Sequence, residues 1–303
     1  MDQYDTTKMI QEIDEFSSKV IAFNSNVYTK ITPEAEKSFK KKSVIDIDCL
    51  TTEKQIELMK LSIKHKHPKY SFIELSNKFS VDLSCDDNMF LKLAVNYNDE
   101  EVLKYLIDSG IDVTVENNFA VKLQSGIIHN NRIIDLLINN GADITVDNYF
   151  PYRYAASEQN KEALKILFSY NPNVDSTMLL ASINPSEIGA PILDFLISLN
   201  ADVNINNGAI LRENNQYYPV VKSLLAAGAD VSYLSTKHLV KIIRSHNKRI
   251  IDIYIKFGVD FSKINDIAIE EKDQEYVDTL INWGIEPRVL ACLFSSKLSK
   301  YRK

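Results

Sequence analysis

"HNNRIIDLLINNGAD" at residues 129–143 and "HNKRIIDIYIKFGVD" at 246–260 agree at most positions, although more than a hundred residues separate them. Either the two copies form one functional motif, such as a pair of histidine ligands, or they are the most visible part of a repeat running along the whole chain. Gly141 serves as a marker. Equivalent positions are Ser80, Gly110, Asn171, Asn200, Gly228, Gly258 and Gly284, and in chain order the spacings are 30, 31, 30, 29, 28, 30 and 26 residues. Five of the eight glycines sit on this marker, and Asn171 and Asn200 are the substitutes. Helices commonly end on a left-handed residue, where glycine costs least and asparagine is the next most tolerant. Two places later stand Asp82, Asp112, Asp143, Asn173, Asp202, Asp230, Asp260 and Glu286, acceptors that can hold the turn leaving the helix. A fixed period of this length decides the fold.

Upstream of the marker the same apolar comb recurs: Ile133-Ile134 then Leu136-Leu137-Ile138, Val102-Leu103 then Tyr105-Leu106-Ile107, Ile250-Ile251 then Ile253-Tyr254-Ile255. Two apolar, one polar and three apolar residues make a broad helical stripe buried on more than one side. The polar gap, at Lys104, Asp135, Lys165, Asp194 or Asp252, marks its wet edge. A shorter helix precedes each comb, as in "FLKLAVNY" (90–97), "PYRYAASE" (151–158) and "HLVKIIRS" (238–245). Each unit is therefore helix, tight turn, helix and a loop containing Gly-x-Asp.

This pattern resembles the ankyrin repeat over roughly residues 50–303. "FPYRYAA" (150–156) is similar to the family's Thr-Pro-Leu-His-x-Ala-Ala box, with Pro151 at the proline and Ala155-Ala156 at the alanine pair. "LLINNGADI" (136–144) is similar to its Leu-Leu-x-x-Gly-Ala-Asp-Val signature. Elsewhere the box is degenerate. Ten steps lead from Gly141 to Pro151 where the usual repeat has about thirteen, so the loops between repeats lose residues. The resemblance thus implies stubby β-hairpin fingers with tips at "ENN" (116–118) and "DN" (147–148). Short, Asn- and Ile-rich repeats of this style are similar to those of giant amoeba-infecting viruses. The implied fold is an all-α solenoid of about eight helix-turn-helix repeats, spanning 49–303 and ending in a capping helix at 287–298. Residues 1–48 form an N-terminal extension. In it Met9, Ile13, Phe16, Val20 and Phe23 keep helical spacing, so an amphipathic helix is expected, either packed on the first repeat or presenting its apolar face to a partner. "TPEAEKSFKKKS" (32–43) reads as a charged short helix or linker.

Composition narrows the function. Basic and acidic residues number 12 and 11 in 1–70, 10 and 21 in 71–235, and 13 and 9 in 236–303. An acidic middle excludes nucleic acid as the expected ligand, because phosphate binding needs a basic face. The basic tail at 296–303 reads as a solvated terminus. No apolar run approaches the roughly 20 residues of a membrane helix, and no secretory signal opens the chain. Cys49, Cys85 and Cys292 are scattered and odd in number, as suits reduced thiols. The expectation is a monomer in the cytoplasm, the host's if the chain is viral.

No catalytic constellation is present: no Gly-x-Ser-x-Gly turn, no His-Glu-x-x-His, no phosphate-cradling loop and no paired cysteines. No enzyme activity, cofactor or metal is expected. His129 and His246 lie nearly four repeats apart, tens of ångströms if each repeat is about 10 Å thick, so they belong to turns. "HKH" (65–67) reads as a solvated helix end, and Glu100-Glu101 and Glu270-Glu271 as helix starts that meet the dipole.

Ankyrin-like proteins bind through loop tips and the exposed face of each first helix. Carried over position by position, the resemblance implies a protein-binding surface of Asp87, Asn88, Asn96, Tyr97, Glu116, Asn117, Asp147, Asn148, Tyr149, Tyr152, Ser157 and Glu158. Acidic tips imply a protein partner with a basic patch. The alternatives are an adaptor recruiting host proteins to a ubiquitin ligase through residues 1–48, a structural component of a viral particle, and an enzyme within the extension. The last is disfavoured because about 48 residues cannot build both a core and a site.

Overall fold

The computed structural model describes residues 5–26, 47–66, 70–126, 130–245, 247–259 and 261. Among them every regular element is helical, and the fold is the all-α helix-pair array of the ankyrin type. The described residues fall into two compact units, one running to Ile183 and the other beginning at Asn184. The first unit opens with α1 (Thr6–Asn26). Three complete pairs follow: α2 (Thr52–His65) with α3 (Phe72–Lys78), α4 (Cys85–Asn96) with α5 (Glu100–Asp108), and α6 (Val115–Gly126) with α7 (Asn131–Asn139). A fourth pair, α8 (Val146–Ser157) with α9 (Lys161–Tyr170), and the single helix α10 (Ser176–Ala181) complete it. The second unit holds α11 (Ala190–Ser198), then α12 (Ile205–Glu213) with α13 (Tyr218–Ala226), and α14 (Thr236–Arg244) with α15 (Lys248–Lys256). His129, His246, His67, Asp260, Gly284, Cys292 and the segments 32–43, 270–271 and 287–303 lie outside the described residues.

The comb behaves as its pattern dictates. Ile133, Ile134 and Leu137 are fully buried, as are Ile250, Ile251 and Tyr254. The gap residues Lys104, Lys165, Asp194 and Asp252 are exposed, and Asp135 is half-buried. After α7, the Gly141 amide donates to Ile138 O at 3.1 Å and the Ala142 amide to Leu137 O at 3.0 Å. These paired bonds satisfy carbonyls that the helix itself leaves open. They place Gly141 at φ +97°, and a Cβ there would meet nothing within 4 Å, so backbone conformation alone selects glycine. Asn200 takes the left-handed role at φ 64°. Asn171 does not: its backbone is extended at φ −139°, and its side chain accepts from the Asn173 amide at 3.2 Å.

The acceptors two places beyond the marker close their turns. Asp82, Asp112, Asp143, Asp202 and Asp230 each accept the amide of the residue two further on, at 2.7–2.9 Å. Hydrogen bonds from Ser84 hold the Asp82 carboxyl below the usual carboxylate range, and those from Thr114 and Ser232 do the same for Asp112 and Asp230. The start of the opening stretch also has a structural role. Asn130 accepts from the Arg132 amide at 3.2 Å, Asn160 from Ala163 at 3.1 Å and Asn247 from Arg249 at 3.1 Å. Each is a side-chain cap that satisfies an otherwise orphan amide.

Candidate ligand-binding face

The loops entering the first helices are where this chain departs most from expectation. In place of hairpin fingers, three consecutive residues adopt left-handed backbone in four repeats. They are Asp86-Asp87-Asn88 (φ 50°, 57°, 58°), Glu116-Asn117-Asn118 (50°, 56°, 62°), Asp147-Asn148-Tyr149 (49°, 55°, 60°) and Asn206-Asn207-Gly208 (56°, 55°, 65°). With about three residues removed from the loop, two extended arms no longer fit and the chain reverses within one turn. A left-handed turn costs most residues roughly 1–2 kcal/mol each, and Asn, Asp and Gly least. Only Glu116 and Tyr149 fall outside that set. An amide-to-carbonyl bond closes each turn: Asn88 to Ser84 at 3.0 Å, Asn118 to Thr114 at 2.8 Å, Tyr149 to Thr145 at 3.0 Å and Gly208 to Asn204 at 3.0 Å.

A lysine on each of α2, α4 and α6 reaches the turn that follows it. Lys60 Nζ lies 2.6 Å from Asp86 Oδ2, Lys92 pairs with Glu116, and Lys122 Nζ lies 2.5 Å from Asp147 Oδ2. Every lysine thus bonds an acid in the turn of the following repeat, 24–26 residues on. The lysine side chains are buried, so each ammonium depends on its partner. Lys122's hydrogen bond holds the Asp147 carboxyl below the usual range. Asn117 adds two bonds to the same carboxylate, at 2.9 and 3.1 Å.

Arg153 occupies the same register, but the next repeat enters α10 through Asp175, an ordinary cap on Thr177, with no left-handed turn and no acid in place. Two compensations follow. The guanidinium forks back onto its own turn, donating to Asn148 O at 3.1 Å and Asp147 O at 2.9 Å. It also meets Glu12 of α1 at 2.7 Å, with the Arg153 side chain 1% exposed.

Glu12 is there because α1 lies across the first helices of the later repeats of this unit. The expectation that it covers the first repeat is therefore corrected. Phe16 packs on Phe119, Phe150 and Tyr154 with ring centroids 5.7, 5.1 and 5.3 Å away. Met9, Ile13 and Val20 are buried beside it, and Ser182 Oγ lies 3.6 Å from Met9 Sδ. The reason is aromatic supply: the first residue after the turn is phenylalanine in two successive repeats, Phe119 and Phe150. Lys92 sits 5.9 Å above the Phe119 ring, and Lys122 and Arg153 sit 5.5 and 5.4 Å from that of Phe150. Between α1 and the turns remains a cavity of 840 Å³. Its walls are the rings of Phe16, Phe23, Phe119 and Phe150, and its charged rim includes Lys19, Glu116 and Asp147.

The expected surface residues separate into three groups. Asp87, Asn88, Glu116, Asn117, Asp147, Asn148 and Tyr149 occupy the left-handed turns, and Glu116, Asn117, Asp147 and Asn148 line the cavity together. Asn96, Tyr97, Ser157 and Glu158 lie at the opposite ends of α4 and α8. Tyr152 is on no surface. It is fully buried, its hydroxyl donating to Leu167 O at 2.6 Å and Asn171 O at 3.1 Å, and burial raises its pKa. Burial likewise pushes Tyr154 up to about 12. The residues missed from sequence are Lys92, Lys122, Arg153, Glu12 and Phe16. A cation recurring at Lys60, Lys92, Lys122, Arg153, Arg212 and Lys241 was the available signal.

This architecture places the chain among helix-pair repeat proteins, and comparison with known proteins agrees. It is similar to three proteins of Acanthamoeba polyphaga mimivirus named as ankyrin repeat proteins. With R599 it shares 26% identity over 233 residues, 73% of this chain and 64% of the relative. With R603 it shares 29% over 226 residues, 70% and 73% of the two chains. With R598 it shares 27% over 199 residues, 60% and 64%. The chain thus spans under two thirds of the length of R599 and R598. No family model matches the sequence, and no solved structure does.

Proposed function

We propose that the chain is a non-enzymatic protein-binding scaffold whose ligand face is the row of left-handed turns and first helices in the unit ending at Ile183. The observation that carries this reading is the aromatic-walled, charge-rimmed cavity at Phe119 and Phe150. Aromatic anchors in a preformed recess give contact area at low entropic cost. Of the acidic turn residues in the expected surface, Asp87, Glu116 and Asp147, the last two are paired with Lys92 and Lys122, so only Asp87 still argues for a basic partner. The rings of Phe16, Phe23, Phe119 and Phe150 therefore dominate recognition.

Site-specific photocrosslinking tests the assignment. A photoreactive residue at Asn148 should capture a protein partner in cells, whereas one at Lys104 or Lys165, on the second-helix face, should not. Equal capture from both faces, or capture from the second-helix face alone, would remove this reading.

A further inference from the structure

We infer that the same face is a receptor for an amphipathic α-helix, and that α1 is its resident occupant, which a partner helix must displace. This rests on the protein-binding reading above and adds the chemistry of the partner. Three observations carry it. First, Arg153 is 1% exposed and, unlike Lys60, Lys92 and Lys122 before it, meets no acid in the turn of the next repeat; Glu12 supplies one from outside the repeats. Second, Phe16 stands one helical turn after Glu12 and fills the space between Phe119, Phe150 and Tyr154. Third, an open recess with aromatic walls remains beside Phe16 and Phe23, so a partner helix can make contacts there that α1 does not make.

The partner is therefore a helix with the pattern carboxylate-x-x-x-aromatic and further apolar residues at the positions of Met9, Ile13 and Val20. A basic helix is rejected, since it would set a second cation against Arg153. Docking of α1 in the same chain reduces the apparent affinity for such a helix by the fraction of chains in which the face is open.

The test uses the full chain and a fluorescein-labelled synthetic peptide of residues 5–26. Wild-type chain should bind the peptide weakly. A Glu12→Lys chain, whose own α1 is repelled by Arg153, should bind it at least about tenfold more tightly. The same peptide carrying Glu12→Lys or Phe16→Ala should lose that gain. Circular dichroism checks that the Glu12→Lys chain keeps its helices, and should it not, a Phe16→Ala chain replaces it in the same titration. Equal binding to wild-type and undocked chains, or equal binding of the Glu12→Lys peptide, overturns the inference. So does a wild-type dimer in which α1 crosslinks to the face of the other copy, since the occupant is then a second chain. Peptide binding that fails while Asn148 still captures a partner leaves the broader reading standing. Tight peptide binding without capture at Asn148 removes the broader reading instead.

Discussion

The Lys122–Asp147 pair gives the sharpest prediction, because its members are unequally buried: the lysine side chain is 7% exposed and the aspartate 47%. Asp147→Asn leaves an ammonium in the wall of the cavity with only the Phe150 ring and a neutral amide to face. A buried donor stripped of its partner costs about 1–3 kcal/mol, and more when it is charged. Lys122→Met does the reverse. It keeps the apolar stem, and Asp147 retains both Asn117 bonds and its contact with water. Its loss should be at most about 1 kcal/mol, as for an exposed ion pair. The double variant should then resemble Lys122→Met alone, because the asparagine no longer faces a buried charge. Urea unfolding followed by circular dichroism measures the cycle. Hydrogen exchange at the Tyr149 amide gives a local readout, since repeat arrays need not unfold in one step. A larger loss from Lys122→Met than from Asp147→Asn, or losses that simply add, would refute the argument.

The same pair sets a pH dependence. Asp147 has a lowered pKa in the folded chain, so its contribution is complete above the ordinary carboxylate pKa of about 4 and is lost as pH falls through the lower folded value. The stability difference between wild type and Asp147→Asn should shrink as urea titrations are repeated from about pH 6 to about pH 3. Gly126→Ala should cost about 1–3 kcal/mol in melting experiments, as overpacking does. Its Cβ would lie 2.3 Å from Tyr154 Cε1, and that ring is wedged against Phe16 and Phe150. Because Tyr154 also supports α1, chymotrypsin should cut faster at Phe16 or Phe23 in this variant. Gly141→Ala should lose about 1–2 kcal/mol through backbone conformation alone, leaving chymotrypsin cleavage of α1 unchanged. Arg153→Lys keeps the charge but not the fork onto Asp147 O and Asn148 O, so it should also speed cleavage of α1.

The period, the helix pairs and the buried comb were legible because each depends on residue type at fixed spacing, as with Ile133, Ile134, Leu137 and Gly141. Local turn chemistry was legible for the same reason at Asp112, Asp143 and Asp230. The left-handed turns were half legible. The Asn and Asp runs marked a loop and its missing length was counted, but the choice between a short hairpin and a one-turn reversal depends on where the flanking helices sit. Tyr152 was misplaced because a tyrosine on a first helix reads as surface until the carbonyls of Leu167 and Asn171 are seen around its hydroxyl. The docking of α1 was least legible. Its amphipathic pattern announced a buried face, but the choice of location was made by Arg153 and two phenylalanines more than a hundred residues away.

The lysine-to-next-turn pairs give the array a direction. The repeats of α4 and α6 each offer a cation forward and an acid backward, like monomers in a head-to-tail polymer, so a run of them must finish with one cation unsatisfied. In the first unit that cation is Arg153, and the N-terminal helix acts as chain terminator by folding back with Glu12. A repeat inserted between Lys92 and Glu116 would therefore be tolerated only if it carried both halves of the linkage. Lengthening the run past Arg153 with a further acid-bearing turn would take over the role of Glu12 and leave α1 held by its apolar face alone.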